Sequence, residues 1–115
     1  MSLLTKDAIL AVADMTRETV AVPEWGGEVC VRAMSGSERD AFESHCFANK
    51  DQPFLNARAK LASLCVCDDA GARLFTDSDV AALSAKSAAA LDRIYDVAIR
   101  LSRMRKEDLE TSEKN

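Results

Sequence analysis

The chain has 115 residues, 48% of them apolar and 30% charged, with a formal net charge of −4. That length suits one domain with one modest core, and the acidic balance argues against a general nucleic-acid binder, which would present a basic face. No run approaches the ~20 apolar residues that cross a bilayer, and the start, Met1-Ser2-Leu3-Leu4-Thr5-Lys6, lacks the pattern of a secretion signal, so the expected place is the cytosol.

Thr5 is placed to cap a short helix over 6–14, with Ala8, Ile9, Val12 and Ala13 at helical spacing as its buried stripe. A polar break at 14–18 follows. Residues 19–25 and 28–33 then alternate in polarity, and Gly26-Gly27 between them supplies the positive φ angles of a two-residue hairpin turn. That turn sets Val22 opposite Val31 and gathers Val20, Val22, Val29 and Val31 on one face of the ribbon. A lone hairpin is marginal in water, so the valine face must pack on helices or on another strand. Pro23 has no N–H for a ladder and marks its strand as an edge. Trp25, the one tryptophan, sits at the mouth of the turn.

Ser35-Gly36-Ser37-Glu38 matches a capping box. The helix it starts is expected to run to about Ala48, with Ala41, Phe42, Cys46 and Phe47 inward and His45 at the edge of the stripe. A polar break ends at Pro53. The next helix, over 55–67, carries two adjacent stripes, Leu55, Ala59, Ala62, Val66 and Leu61, Leu64, Cys65. Such a wide apolar face marks the central helix of the fold. Asp68-Asp69-Ala70-Gly71 is a turn with Gly at its fourth position, and Arg73-Leu74-Phe75 is a short extended piece that suits a third strand. Thr76-Asp77-Ser78-Asp79 opens a short helix with an acidic first turn, pointing Val80, Ala82 and Leu83 inward. Ser87 caps the best helix, over 88–104, where Leu91, Ile94, Tyr95, Ala98 and Leu101 form one stripe. The fold class is therefore α+β and mostly helical, with about four to five helices, a small antiparallel β-hairpin and a candidate third strand. Residues 1–104 are expected to form a single globular domain and 105–115 a charged tail that frays.

Catalytic chemistry is not visible. Cys30, Cys46, Cys65 and Cys67 include a Cys-x-Cys but no second spaced pair to complete a metal site, and they read as reduced, small apolar residues. His45 is the single histidine and has no nucleophile pattern beside it. No Gly-rich phosphate loop and no Gly-x-Ser-x-Gly elbow occurs. The carboxylates have the spacing of helix starts and solvated helix faces. No catalytic residue, metal ligand or cofactor is assigned, and a protein that acts by binding other proteins is expected.

The segments "VPEWGGEVCVRAMSGSERDAFE" and "LASLCVCDDAGARLFTDSDVAALSAKSAAALDRIYDVAIRLS", in that order after a short helix, resemble the tail assembly chaperones of long-tailed bacteriophages and prophages. The resemblance covers about residues 3–109 and is most specific at Pro23 to Gly27, Ser35 to Phe42, and Leu74 to Asp77 leading to Ala89 to Asp92. It implies a non-enzymatic protein of the host cytoplasm that binds the tape-measure protein and keeps it soluble until tail-tube subunits polymerise around it, and that is absent from the mature virion. It also implies a longer, frameshifted form that recruits the tail-tube protein, with the junction in the charged end at 106–115. Such a chaperone needs exposed apolar surface. Trp25, Phe47 and Phe54 are the candidate contacts, with the outer residues of helix 88–104. Many copies along one partner would add avidity, so a homo-oligomer fits. No nucleic-acid or membrane partner is expected. The competing readings are a structural tail-completion or head–tail connector protein and a small host regulator or enzyme.

Overall fold

A computed structural model describes residues 2–104. These residues form five α-helices and a three-stranded antiparallel sheet: α1 (Lys6–Ala11), β1 (Arg17–Val22), β2 (Gly27–Arg32), α2 (Gly36–Phe47), α3 (Ala57–Cys65), β3 (Val66–Cys67), α4 (Val80–Ser84) and α5 (Ala88–Leu101). The α+β, mostly helical class expected from the sequence is the one observed. The charged end at 105–115 lies outside the described residues.

The hairpin forms, but by a different turn. Pro23 opens a single 3₁₀ turn, Pro23–Trp25, and only Gly26 takes a positive φ, +72°, its N–H returning to the Pro23 carbonyl at 3.1 Å. Proline suits the first position of such a turn because its φ is preset and its missing N–H is not needed there. Pro23 therefore sits beyond the strand rather than in it. The longer turn places Val22 opposite Gly27 instead of Val31, a shift of four positions, and pairs Val20 with Val29. An even shift leaves every side chain on its expected face. Val22 and Val31 are fully buried, and Val20 and Val29 pack against the core.

The third strand is Val66–Cys67, paired with β2 through Cys30↔Cys67 and Val31↔Val66, so β2 is central. The piece at 73–75 contributes only one isolated bridge, Arg73 to Cys67. The helix expected to reach 67 stops at Cys65, where Val66 turns extended.

The capping box is built as the sequence demands. Ser35 Oγ accepts from the Glu38 N–H at 3.2 Å, and Glu38 Oε1 accepts from the Ser35 N–H at 2.9 Å. Along α2 only Phe42 and Cys46 are buried; Ala41 and Phe47 face out, because the inward line runs through i and i+4. Eight of the nine residues of α3 are buried, Arg58 being the exception. α3 packs on α2, α4 and α5, and α5 lies against β1 and β2, so α3 is the central helix. Leu55 precedes the helix and is exposed rather than part of its stripe. In α4 Leu83 is buried and Val80 half-buried, while Ala82 faces out.

α5 holds Leu91, Ile94 and Ala98 in the core, with Tyr95 and Leu101 half-buried. It ends three residues before the expected boundary at 104, in a paired closing turn. The Met104 N–H bonds the Ile99 carbonyl at 3.0 Å, and the Arg103 N–H bonds that of Arg100 at 3.2 Å, with Arg103 at φ +59°. This satisfies carbonyls that have no partner further along the helix and buries Met104 beneath the turn. Ser102 Oγ accepts from the Met34 N–H at 3.0 Å, tying the end of α5 to the chain leaving β2.

One expected core element is not in the core. Thr5 caps α1, its Oγ accepting from the Ala8 N–H at 3.1 Å, but α1 buries no residue. Ala8, Ile9, Val12 and Ala13, expected as a buried stripe, are all exposed.

Candidate functional site

Large apolar side chains stand exposed in three places, and these make up the candidate site. The first is the hairpin tip. Trp25 is the last residue of the 3₁₀ turn and remains 37% exposed. The turn is held against α5 by Glu24, whose carboxylate accepts from Arg93 Nε at 2.9 Å and Nη2 at 3.2 Å. The hydrogen bond from Arg93, with the turn's own backbone, holds the Glu24 carboxyl below the usual carboxylate range. The ion pair is solvent-exposed, so its effect is positional: it fixes where the indole is presented.

The second is an aromatic pair where α2 runs into α3. The rings of Phe47 and Phe54 meet edge to face, centroids 5.2 Å apart and planes at 72°. Phe47 is 38% exposed, while Phe54 is half-buried against the core. The connecting loop is strained. Phe54 and Asn56 sit at φ +64° and +58°, a region that non-glycine residues rarely occupy. Two bonds hold it there: the Phe54 N–H to the Cys46 carbonyl at 2.8 Å, and His45 Nε2 to the Leu55 carbonyl at 2.8 Å. Leu55 is thereby pushed outward, half exposed beside Phe47. The structure thus brings two of the three sequence-chosen residues together and leaves Trp25 on a separate element.

The third place was missed by sequence reasoning. Leu3, Leu4, Ile9, Leu10 and Val12 are all exposed, Leu3 at 98% and Leu10 at 74%. The signal was available. Leu10 lies outside the stripe at 8, 9, 12 and 13, and Leu3 and Leu4 precede the Thr5 cap, so the segment carries more apolar side chains than one inward helix face can bury. Beside the point where this arm joins the body, an open groove of about 880 Å³ runs between the end of β2 and the end of α5. Met15, Ala33, Met34 and Leu101 line it, with Asp14 and Arg103.

The reactive groups are quiet. Burial, with the nearby Glu43 charge, pushes the Cys46 thiol up to about 12, burial does the same for Cys65, and burial and the Cys30 side chain push Cys67 up to about 11. All three are neutral thiols at physiological pH, poorly suited to nucleophilic attack. His45 is spent on the Leu55 carbonyl. Among the described residues no group of three or more His, Cys, Asp or Glu side chains is arranged to hold a metal ion. No helix among them is long and apolar enough to cross a membrane.

With this geometry in place, the comparisons are decisive. The family model described as "Phage tail assembly chaperone" matches residues 4–115. The chain belongs to the phage tail assembly chaperone family. The fold of this tail assembly chaperone is also that of a solved structure, the bacteriophage HK97 tail assembly chaperone, with a TM-score of 0.65 and 23% identity over 84% of this chain and 90% of that one. No curated protein matches the chain. In this family member the thiols of Cys46, Cys65 and Cys67 are pushed up by burial, and several large apolar side chains face water.

Proposed function

We propose that this tail assembly chaperone binds the tape-measure protein in the host cytoplasm and keeps it soluble until tail-tube subunits polymerise around it. The work is binding, with no bond made or broken, and the chaperone leaves before the virion is mature. A longer product extending from the charged end would recruit the tail-tube protein, and several copies would line one tape measure, so self-association belongs to the reading. The observation that carries it is the set of large apolar side chains left in water on a family member: Trp25 at the hairpin tip, with Phe47 and Leu55 beside Phe54. Buried together against a long apolar helix, these would supply many weak contacts, which suits a partner that must later be released.

The test is the fate of the chain. Quantitative mass spectrometry should find it abundant in infected or induced cells and missing from purified mature particles. A fixed copy number in those particles would overturn the reading and make it a structural component.

A further inference from the structure

The N-terminal arm and the groove at its base match each other in ways that a single copy does not use. α1 is six residues long and buries none of them, whereas an isolated helix of that length is not stable in water. Helical order there implies a surface that covers it. The groove offers one, with Met15, Ala33, Met34 and Leu101 as apolar lining. The charges also correspond. Lys6 and Asp7 on the arm have no ion-pair partner among the described residues, and neither do Asp14 and Arg103 in the groove, the arm carrying one charge of each sign and the groove its complement.

We propose that residues 3–12 of one copy seat in this groove of a second copy, and that the exchange is reciprocal. Leu3, Leu4, Ile9, Leu10 and Val12 cover the apolar lining, Lys6 meets Asp14, and Asp7 meets Arg103. Area decides between one seat and two. Five large side chains shedding on the order of 100 Å² each, with a smaller share from the groove, give roughly 650 Å² for one seat, too little for a specific interface; two seats give about 1,300 Å², within the standard range. A reciprocal pair also closes on itself, so the apolar arms do not chain into open fibres. The inference deepens the self-association reading given above and is independent of what the tape measure does.

The test uses the purified full chain alone, by sedimentation equilibrium. The wild type should be a dimer at micromolar concentration. Leu10→Asp should be monomeric and still unfold cooperatively by circular dichroism, melting somewhat below the wild type as loss of the dimer requires, because the side chain is exposed in the single copy. Asp7→Arg should weaken the dimer at least tenfold, since the change enters both seats, and Asp7→Arg with Arg103→Asp should restore it to within about threefold. A wild type that stays monomeric at millimolar concentration overturns both this seat and self-association. A dimer that none of these substitutions moves overturns the seat alone and leaves self-association standing. The chaperone reading is touched by neither result, because no tape measure is present.

Discussion

Glu38 joins three structures with one side chain. It closes the capping box of α2, and it takes Arg32 Nη1 and Nη2 at 2.8 and 2.6 Å, which anchors the end of β2 to the start of α2. Burial acts to raise its carboxyl, but the Arg32 guanidinium and the Ser35 N–H outweigh that and hold it below the ordinary range, while Arg32 is raised by the same contact. The sign follows. A depressed folded-state carboxyl contributes its full stability above the unfolded value, about 4.3, and loses it as pH falls through the folded value. Glu38→Gln should therefore cost about 2 kcal/mol at pH 7, and the gap to wild type should narrow as pH falls from neutral through about 4.3 and below. Urea melts across that range read it directly; a gap independent of pH would show that the ion pair contributes nothing. The Arg32 Nε–H is buried without a partner, a desolvation cost of about 1–3 kcal/mol that the bidentate contact with Glu38 has to offset.

At the scale of elements, the two turns that sequence reading placed wrongly make the sharpest predictions. Of the two hairpin glycines only Gly26 needs to lack a Cβ, and for backbone reasons alone, since a Cβ there meets nothing within 4 Å. Gly26→Ala should cost about 1 kcal/mol, and Gly27→Ala, in β2 at ordinary φ with open space around it, should change stability by less than about 0.5 kcal/mol. Equal costs at both sites would restore the two-residue glycine turn. Conversely, Arg103 holds the left-handed position after α5 where glycine is the natural occupant, so Arg103→Gly should raise stability by about 1 kcal/mol in a thermal melt. Capping boxes, the α5 stripe and the valine face were legible because each is written in side chains a few residues apart. The turn at Pro23, the strand at Val66 and the closing turn at Arg103 were not, because each is settled by which distant backbone group is free to bond. α1 failed for a related reason: periodicity says that a segment has an apolar side but not that anything is there to cover it. Of the candidate contacts, Phe47 and Phe54 stand beside a polar break, and the strained loop that turns Leu55 outward is tertiary, held by bonds to Cys46 and from His45.

Taken whole, the molecule divides its apolar residues between two tasks. Phe42, Leu61 and Ile94, with Val22, Val31 and Val66 from the sheet, close a core around α3, and replacing Leu61 by Ala should cost about 2–5 kcal/mol. Trp25, Phe47, Leu55 and the N-terminal arm stay outside that core. Surface of this kind is a liability for a protein that works alone and a requirement for one that shelters another chain. The most direct measurement is the soluble yield of a tape-measure protein from the same phage or prophage, expressed with and without this chain. Soluble tape measure should rise several-fold and co-purify with the wild type, and the gain should fall away when Trp25 and Phe47 are both replaced by serine although the variant remains folded. An unchanged yield with no co-purification would contradict the proposed role.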